Sequence, residues 1–169
     1  MLILIPGGCG FIGSSLAIYL KQRIKNSVVI TVDNLSRNTS YLNHKRLKDY
    51  NIKNFKLNLS TNNCLNKLKS IKKKINLIID CCAEPSVELS KKNPKLVFDS
   101  NLRSTLNLLE IARINKSKII YLSTSRVYSI NKINNLFTNI NFKTKLKKII
   151  KINEKFSKES PISFYGFTK

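Results

Sequence analysis

Leu2-Ile3-Leu4-Ile5-Pro6-Gly7-Gly8-Cys9-Gly10-Phe11-Ile12-Gly13 sets the architecture of the chain. Leu2 to Ile5 is a short apolar run that breaks at Pro6-Gly7. From Phe11 to Lys21 apolar residues recur at near-helical spacing, so the stretch reads as strand, tight turn, helix. Pro6 is tolerated because the strand is finishing there. Gly7, Gly10 and Gly13 form G-x-x-G-x-x-G inside that turn. Glycine permits positive φ and leaves no Cβ between the main chain and a pyrophosphate, whose charge is met by N–H groups at the helix start.

The neighbouring segments extend the pattern. Val28 to Val32 is a second β-branched run that ends at Asp33, at the usual spacing from the glycine turn, where a carboxylate can accept both hydroxyls of an adenosine ribose. This favours NAD over NADP, since a ribose 2′-phosphate would be repelled. Arg37, in Asp33-Asn34-Leu35-Ser36-Arg37, softens that discrimination. Phe55 to Leu59 is expected as a third strand, Leu77-Ile78-Ile79 as a fourth and Lys118 to Leu122 as a fifth. Pro94 to Ile114 predicts the best helix, with Val97, Leu102, Leu106, Leu109 and Ala112 on one stripe. Strands alternating with helices imply an α/β fold around a parallel sheet. The Lys/Asn-rich stretch from Ile130 to Lys158 reads as a loop or insertion.

With 169 residues, 42% of them hydrophobic, the chain suffices for one domain. Its longest apolar runs fall far short of a membrane span, and no basic segment precedes an apolar stretch at the N-terminus, so a cytoplasmic protein is expected. Cys9, Cys64, Cys81 and Cys82 contain no C-x-x-C, and adjacent Cys81 and Cys82 would point to opposite faces of a strand, so neither a metal nor a disulfide is indicated. Lys and Arg number 31 against 9 Asp and Glu, a formal charge of +22. The lysines are spread among Asn and Ile rather than interleaved with stacking aromatics, which favours compositional bias over a nucleic-acid partner.

Tyr165 and Lys169 make Y-x-x-x-K, a spacing that puts both side chains on one face of a helix. A tyrosine ordinarily titrates near pH ~10, and an adjacent ammonium stabilises the phenolate so that it can accept a proton at neutral pH. Thr124 ends the fifth strand, on the side where open α/β sheets bind ligands. Of the remaining polar residues, His44 reads as solvated and Cys9 as packed under the turn. Glu84 reads equally as a cofactor neighbour or an exposed loop carboxylate.

Six segments together resemble the extended short-chain dehydrogenase/reductases of the NAD-dependent sugar-nucleotide epimerase/dehydratase family. They are Gly7 to Gly13, Asp33 to Arg37, Ala83 to Val87, Asn101 with Thr105 to Glu110, Ser123 to Tyr128, and Tyr165 to Lys169. Asn34-Leu35-Ser36-Arg37, Glu84-Pro85-Ser86-Val87 and Thr124-Ser125-Arg126-Val127-Tyr128 most resemble the CDP-paratose (CDP-tyvelose) 2-epimerase branch.

The resemblance implies a Rossmann-type doubly wound sheet and an isomerase that uses NAD on a CDP-, UDP- or dTDP-sugar. A sugar hydroxyl is oxidised transiently to a ketone and then reduced on its opposite face. It implies Thr124, Tyr165 and Lys169 as the catalytic set, which also touches the cofactor: Tyr165 takes the hydroxyl proton, Lys169 binds the nicotinamide ribose and lowers the Tyr165 pKa, and Thr124 hydrogen-bonds the reacting oxygen. Gly7, Gly10, Phe11, Ile12 and Gly13 would meet the pyrophosphate, and Asp33 and Asn34 the adenosine ribose. Asn58 and Leu59 would flank adenine, while Ala83 and Asn101 line the cleft.

Departures from the family pattern are informative. Related dehydratases carry Asp-Glu after the Thr, where this chain has Ser125-Arg126, which argues against dehydration. Asn58 stands where Asp is usual, and Ser104 and Ser129 where Gly is usual. Family members are longer and place a substrate domain after Lys169. The expectation is therefore that residues 1–169 are an incomplete NAD-binding domain, with poor or no turnover alone, from a parent that can homodimerise. Two other readings stay open: an NAD-binding fragment or pseudoenzyme, and, more distantly, a basic nucleic-acid-binding protein.

Overall fold

A computed structural model describes residues 1–140, 143–146, 152–159 and 163–169, leaving aside the side chains at 138–140 and 143–146. The described residues fall into two compact units, 1–84 with 95–122, and 85–94 with 123–169.

The first unit is built on β1 (Leu2–Pro6), β2 (Val28–Asp33), β3 (Lys53–Lys56), β4 (Leu77–Asp80) and β5 (Lys118–Tyr121), all parallel, in the order β3-β2-β1-β4-β5. Its helices include α1 (Phe11–Arg23), α2 (Asn38–Asp49) and α3 (Cys64–Lys69). The order reverses between β1 and β4, so the loops after these strands diverge and leave a crevice at their carboxyl ends.

Both sheet faces are covered. Leu2 and Leu4 join Ile30, Val32 and Ile78 in one core, while Ile3 and Ile5 join Ala17, Ile18 and Leu47 in the other. A strand buried on both faces requires the continuous apolar run seen in β1. Cys81 packs against the second core and Cys82 against the first, as the alternation predicted, although both follow β4 rather than lie in it.

Three element readings need correction, two of them around the sheet. The third strand is Lys53–Lys56, not Phe55 to Leu59: its partner β2 ends at Asp33, which pairs with Lys56, and the chain then leaves the sheet with Leu57 and Leu59 still buried. The long helix is three pieces. In chain order α4 (Val87–Lys92) precedes α5 (Pro94–Phe98), a π-helical segment (Asp99–Arg103) and α6 (Ser104–Asn115). Its inner face is Val97, Asn101, Ser104, Leu108, Ile111 and Ala112, whereas Leu106 and Leu109 are exposed. Two polar residues occupy positions on the inner face where apolar ones were expected, because both are hydrogen-bonded there.

The second unit contains α4, a 3₁₀ turn (Ser125–Val127), α7 (Ile130–Asn134), the antiparallel pair β6 (Phe137–Ile140) and β7 (Lys143–Leu146), and α8 (Phe164–Phe167). The stretch expected to be a loop thus holds a short helix and a hairpin; residues 141–142 and 147–151 lie outside the described residues.

Candidate dinucleotide cleft and catalytic segment

The turn after β1 is held from several sides. The Gly7 N–H donates to Val32 O at 2.8 Å and the Gly10 N–H to Gly7 O at 3.0 Å. The Cys9 N–H donates to Asp33 Oδ2 at 3.0 Å, and Asn43 Nδ2 donates to Cys9 O at 2.9 Å. The three glycines are glycine for different reasons. Gly7 has φ +69°, and a Cβ there would lie 2.6 Å from Cys81 O. A Cβ at Gly13 would lie 2.3 Å from Gly7 O. At Gly10 the backbone is extended, with φ −76° and ψ 175°, and a Cβ would meet only Gly7 O, at 3.1 Å. The fold itself thus demands glycine at 7 and 13, while at Gly10 a Cβ would be tight against Gly7 O without being forbidden, and the residue borders an open space.

That space is a solvent-open cleft of about 690 Å³ at the carboxyl ends of β1, β2 and β4. Gly7, Gly10, Asp33 and Asn34 line it, as do Arg37, Asn58, Leu59 and Ala83. Phe11 and Ile12 do not: their side chains are solvent-exposed, so their expected role falls to the first-turn N–H groups of α1, which lack helical partners. Gly13 is a packing residue beneath the turn. Asn101 is also not in the lining; fully buried, it accepts the Glu84 N–H through Oδ1 at 2.7 Å and donates Nδ2 to Glu84 O at 3.3 Å.

Asp33 accepts the Leu35 N–H at Oδ1 (2.8 Å) as well as the Cys9 N–H at Oδ2. A carboxylate offers about four lone-pair sites, so two remain for ribose hydroxyls. Asn58 Oδ1 accepts from the N–H and hydroxyl of Ser60, at 3.0 and 2.8 Å, shaping its own turn. Glu84, whose placement the sequence left open, lines the cleft and pairs with Arg37, Nη2 to Oε2 2.6 Å. Ser36, Ser40, Ser100 and Ser104 line it as well; the sequence motifs include Ser36 and Ser104 but nothing announces Ser40 or Ser100. Cys9 is buried; burial pushes its thiol up to about 12, with the Asp33 charge adding to the shift. His44 on α2 is half-buried, and its Nδ1 is withdrawn from water without a partner among the described residues.

The catalytic candidates all fall in the second unit. Thr124 Oγ1 accepts the Arg126 N–H at 3.2 Å and caps the 3₁₀ turn. Tyr165 is buried on α8. Lys169 lies two residues past the helix, which covers only Phe164–Phe167, so the expected i,i+4 pair is not carried by helix throughout; the Lys169 N–H bonds Gly166 O at 3.2 Å, a tightened i,i+3 closure. The two segments touch closely: a Cβ at Gly166 would lie 2.2 Å from Arg126 O.

An open parallel sheet whose strand order reverses beside a glycine turn defines the dinucleotide-binding class of α/β proteins. The model of the NAD dependent epimerase/dehydratase family matches residues 3–168, and the chain belongs to that family. NAD is the cofactor of the family, and the open side of Gly10, the first-turn N–H groups of α1 and the spare acceptor sites of Asp33 fit it.

Among relatives, dTDP-D-glucose 4,6-dehydratase of Dictyostelium discoideum is 40% identical over 129 residues, covering 75% of this chain and 29% of the relative. CDP-paratose 2-epimerase of Salmonella typhi is 36% identical over 138 residues, covering 76% and 38%. Among solved structures, ADP-L-glycero-D-manno-heptose-6-epimerase of Helicobacter pylori is similar at 28% identity and TM-score 0.70, covering 99% of this chain and 47% of that one. UDP-glucose 4-epimerase of Thermotoga maritima, solved with UDP-glucose, is similar at 26% and 0.75, covering 100% and 48%. The chain thus spans less than half the length of each of these proteins. No described helix is long and apolar enough to cross a membrane.

Proposed function

We propose that residues 1–169 form the NAD-binding domain of a cytoplasmic nucleotide-sugar epimerase acting on a CDP-, UDP- or dTDP-sugar, with 2-epimerisation of a CDP-sugar the leading case. The cleft lined by Gly10 and Asp33 carries this reading. In it, Gly7, Gly10 and the first-turn N–H groups of Phe11, Ile12 and Gly13 meet the pyrophosphate. Asp33 and Asn34 hold the ribose and Asn58 and Leu59 border adenine, while Ala83 lines the cleft and Asn101 fixes the loop beside it. When bound, NAD supplies a reversible hydride acceptor. Tyr165 Oη takes the proton of a sugar hydroxyl and later returns it, Lys169 Nζ stabilises the phenolate and holds the nicotinamide ribose, and Thr124 Oγ1 orients the reacting oxygen. Exposed Leu106 and Leu109 on α6 suit a homodimer in the whole protein.

Dehydration is the competing reading, favoured by the 40% identity to a dehydratase. Against it, the turn after Thr124 is Ser125-Arg126-Val127 and offers no carboxyl group as acid or base. Incubation of the whole protein with each nucleotide sugar separates the two by chromatography and mass: a new isomer of unchanged mass supports the proposal, and a product lighter by one water overturns it.

Binding is tested by thermal unfolding of the 169-residue chain with NAD. At a hundredfold excess over Kd, a saturable gain of about 2.7 kcal/mol is expected. Gly10→Val should abolish it, because a branched side chain would crowd the cleft that Gly10 lines; an undiminished shift would sink the cleft assignment.

A further inference from the structure

The cleft contrasts with the molecule around it. The protein carries a formal charge of +22, yet the charged residues lining the cleft, among the described residues, are two carboxylates, Asp33 and Glu84, and one guanidinium, Arg37. That single cation is already engaged, with Arg37 Nη2 2.6 Å from Glu84 Oε2. Glu84 is well placed to keep it: its side chain is mostly buried, and Asn101 clamps its backbone through both N–H and C=O. Arg37 is more exposed and starts the α2 segment after β2, only four residues beyond Asp33. The pair therefore ties the loop after β2 to the loop after β4 at the margin of the cleft.

A ribose 2′-phosphate arriving beside Asp33 brings close to two negative charges and needs a guanidinium in bidentate contact. Among the described residues of the lining only Arg37 carries a guanidinium, and it can supply one only by giving up its ion pair with Glu84. We propose that Glu84 is a specificity-determining residue: by holding Arg37 in an ion pair, it enforces the preference for NAD over NADP that Asp33 alone would leave incomplete. The inference rests on reading this cleft as the dinucleotide site and adds a second acidic gate to it.

The test is calorimetric titration of the 169-residue chain with NAD and with NADP, read as the ratio of the two Kd values, for wild type, Glu84→Gln, Arg37→Gln and the double variant. Glu84→Gln keeps the shape and removes the charge, and an ion pair with one half-exposed partner adds little to stability, so the variant should fold. We expect its NADP:NAD Kd ratio to fall about tenfold, the equivalent of ~1.4 kcal/mol. Arg37→Gln should raise the ratio, and the double variant should lose most of the gain seen in Glu84→Gln. A ratio within twofold of wild type in Glu84→Gln, with NAD still bound, overturns the inference and leaves the cleft reading intact. A gain that persists in the double variant also overturns it, because the effect would then not run through Arg37. Absence of binding of either dinucleotide by wild type overturns both.

Discussion

The unit that holds the cleft and the unit that holds Thr124 and Tyr165 are supported by different means. In the first, α1, α2, α3, the π-helical segment and α6 start without any side-chain cap, and their positions follow from five parallel strands and two buried cores. In the second, α4, the 3₁₀ turn, α7 and α8 are each capped by a hydroxyl, from Ser86, Thr124, Ser129 and Ser163 in turn. Helices this short have little packed face, so one satisfied N–H is a large share of what holds them. The first unit is fixed by tertiary packing and the segments of the second by local hydrogen bonds. Thr124 serves both as cap and as catalytic candidate.

The sharpest way to break this contrast is Gly13→Ala. In an unhindered helix the change stabilises by up to about 1 kcal/mol. Here the new Cβ meets backbone at 2.3 Å, so a loss of about 3 kcal/mol is expected in urea unfolding. Gly166→Ala is the counterpart in the second unit, with backbone at 2.2 Å. It should cost about 2 kcal/mol locally, which hydrogen exchange would show as lost protection at Gly166 and Thr168 with β1 to β5 unchanged; a uniform loss would mean that the units do not differ as described.

Cys9 sharpens the picture through pH. Its thiol is raised from 9.0 to about 12 in the fold, so the unfolded chain ionises first. The contribution is fully present below pH 9 and is lost as pH rises toward 12. Against Cys9→Ala, wild type should lose about 1.4 kcal/mol more between pH 8 and pH 10, measured by denaturant titration at each pH. Smallest is Ser163→Ala, which removes the cap accepting the Gly166 N–H at 3.0 Å and should cost about 1 kcal/mol. A thermal midpoint unchanged beyond error would show that α8 is held by something other than its cap.

These contrasts also explain what could be read from residue order. Leu2 to Gly13 and Val28 to Asp33 are local signals, an apolar run and a punctuating turn, and their structure follows them closely. The face of the helix from Pro94 onward was misread because its burial is decided at a distance. Asn101 and Ser104 point inward, and the bonds that make this acceptable for Asn101 run to Glu84, seventeen residues earlier. Ranking side chains by hydrophobicity picks Leu106 and Leu109 instead. Likewise nothing around Arg37 announces Glu84 as its partner, since the two meet only through the parallel pairing that brings the ends of β2 and β4 to either side of β1. The third strand was misplaced for a related reason: the alternation of Phe55, Leu57 and Leu59 persists after the strand beside it has ended.

The acidic lining of the cleft in a strongly cationic protein separates arrival from retention. The +22 surface draws any dinucleotide inward, which should make association rates fall as ionic strength rises, with screening over about 8 Å at physiological salt. That pull does not distinguish NAD from NADP in kind, and it would speed the more highly charged molecule most. On the reading proposed above, selection falls to dissociation and to Asp33 and the Arg37–Glu84 pair at contact distance, where added salt screens far less. Stopped-flow traces should therefore show NADP arriving at least as fast as NAD and leaving much sooner.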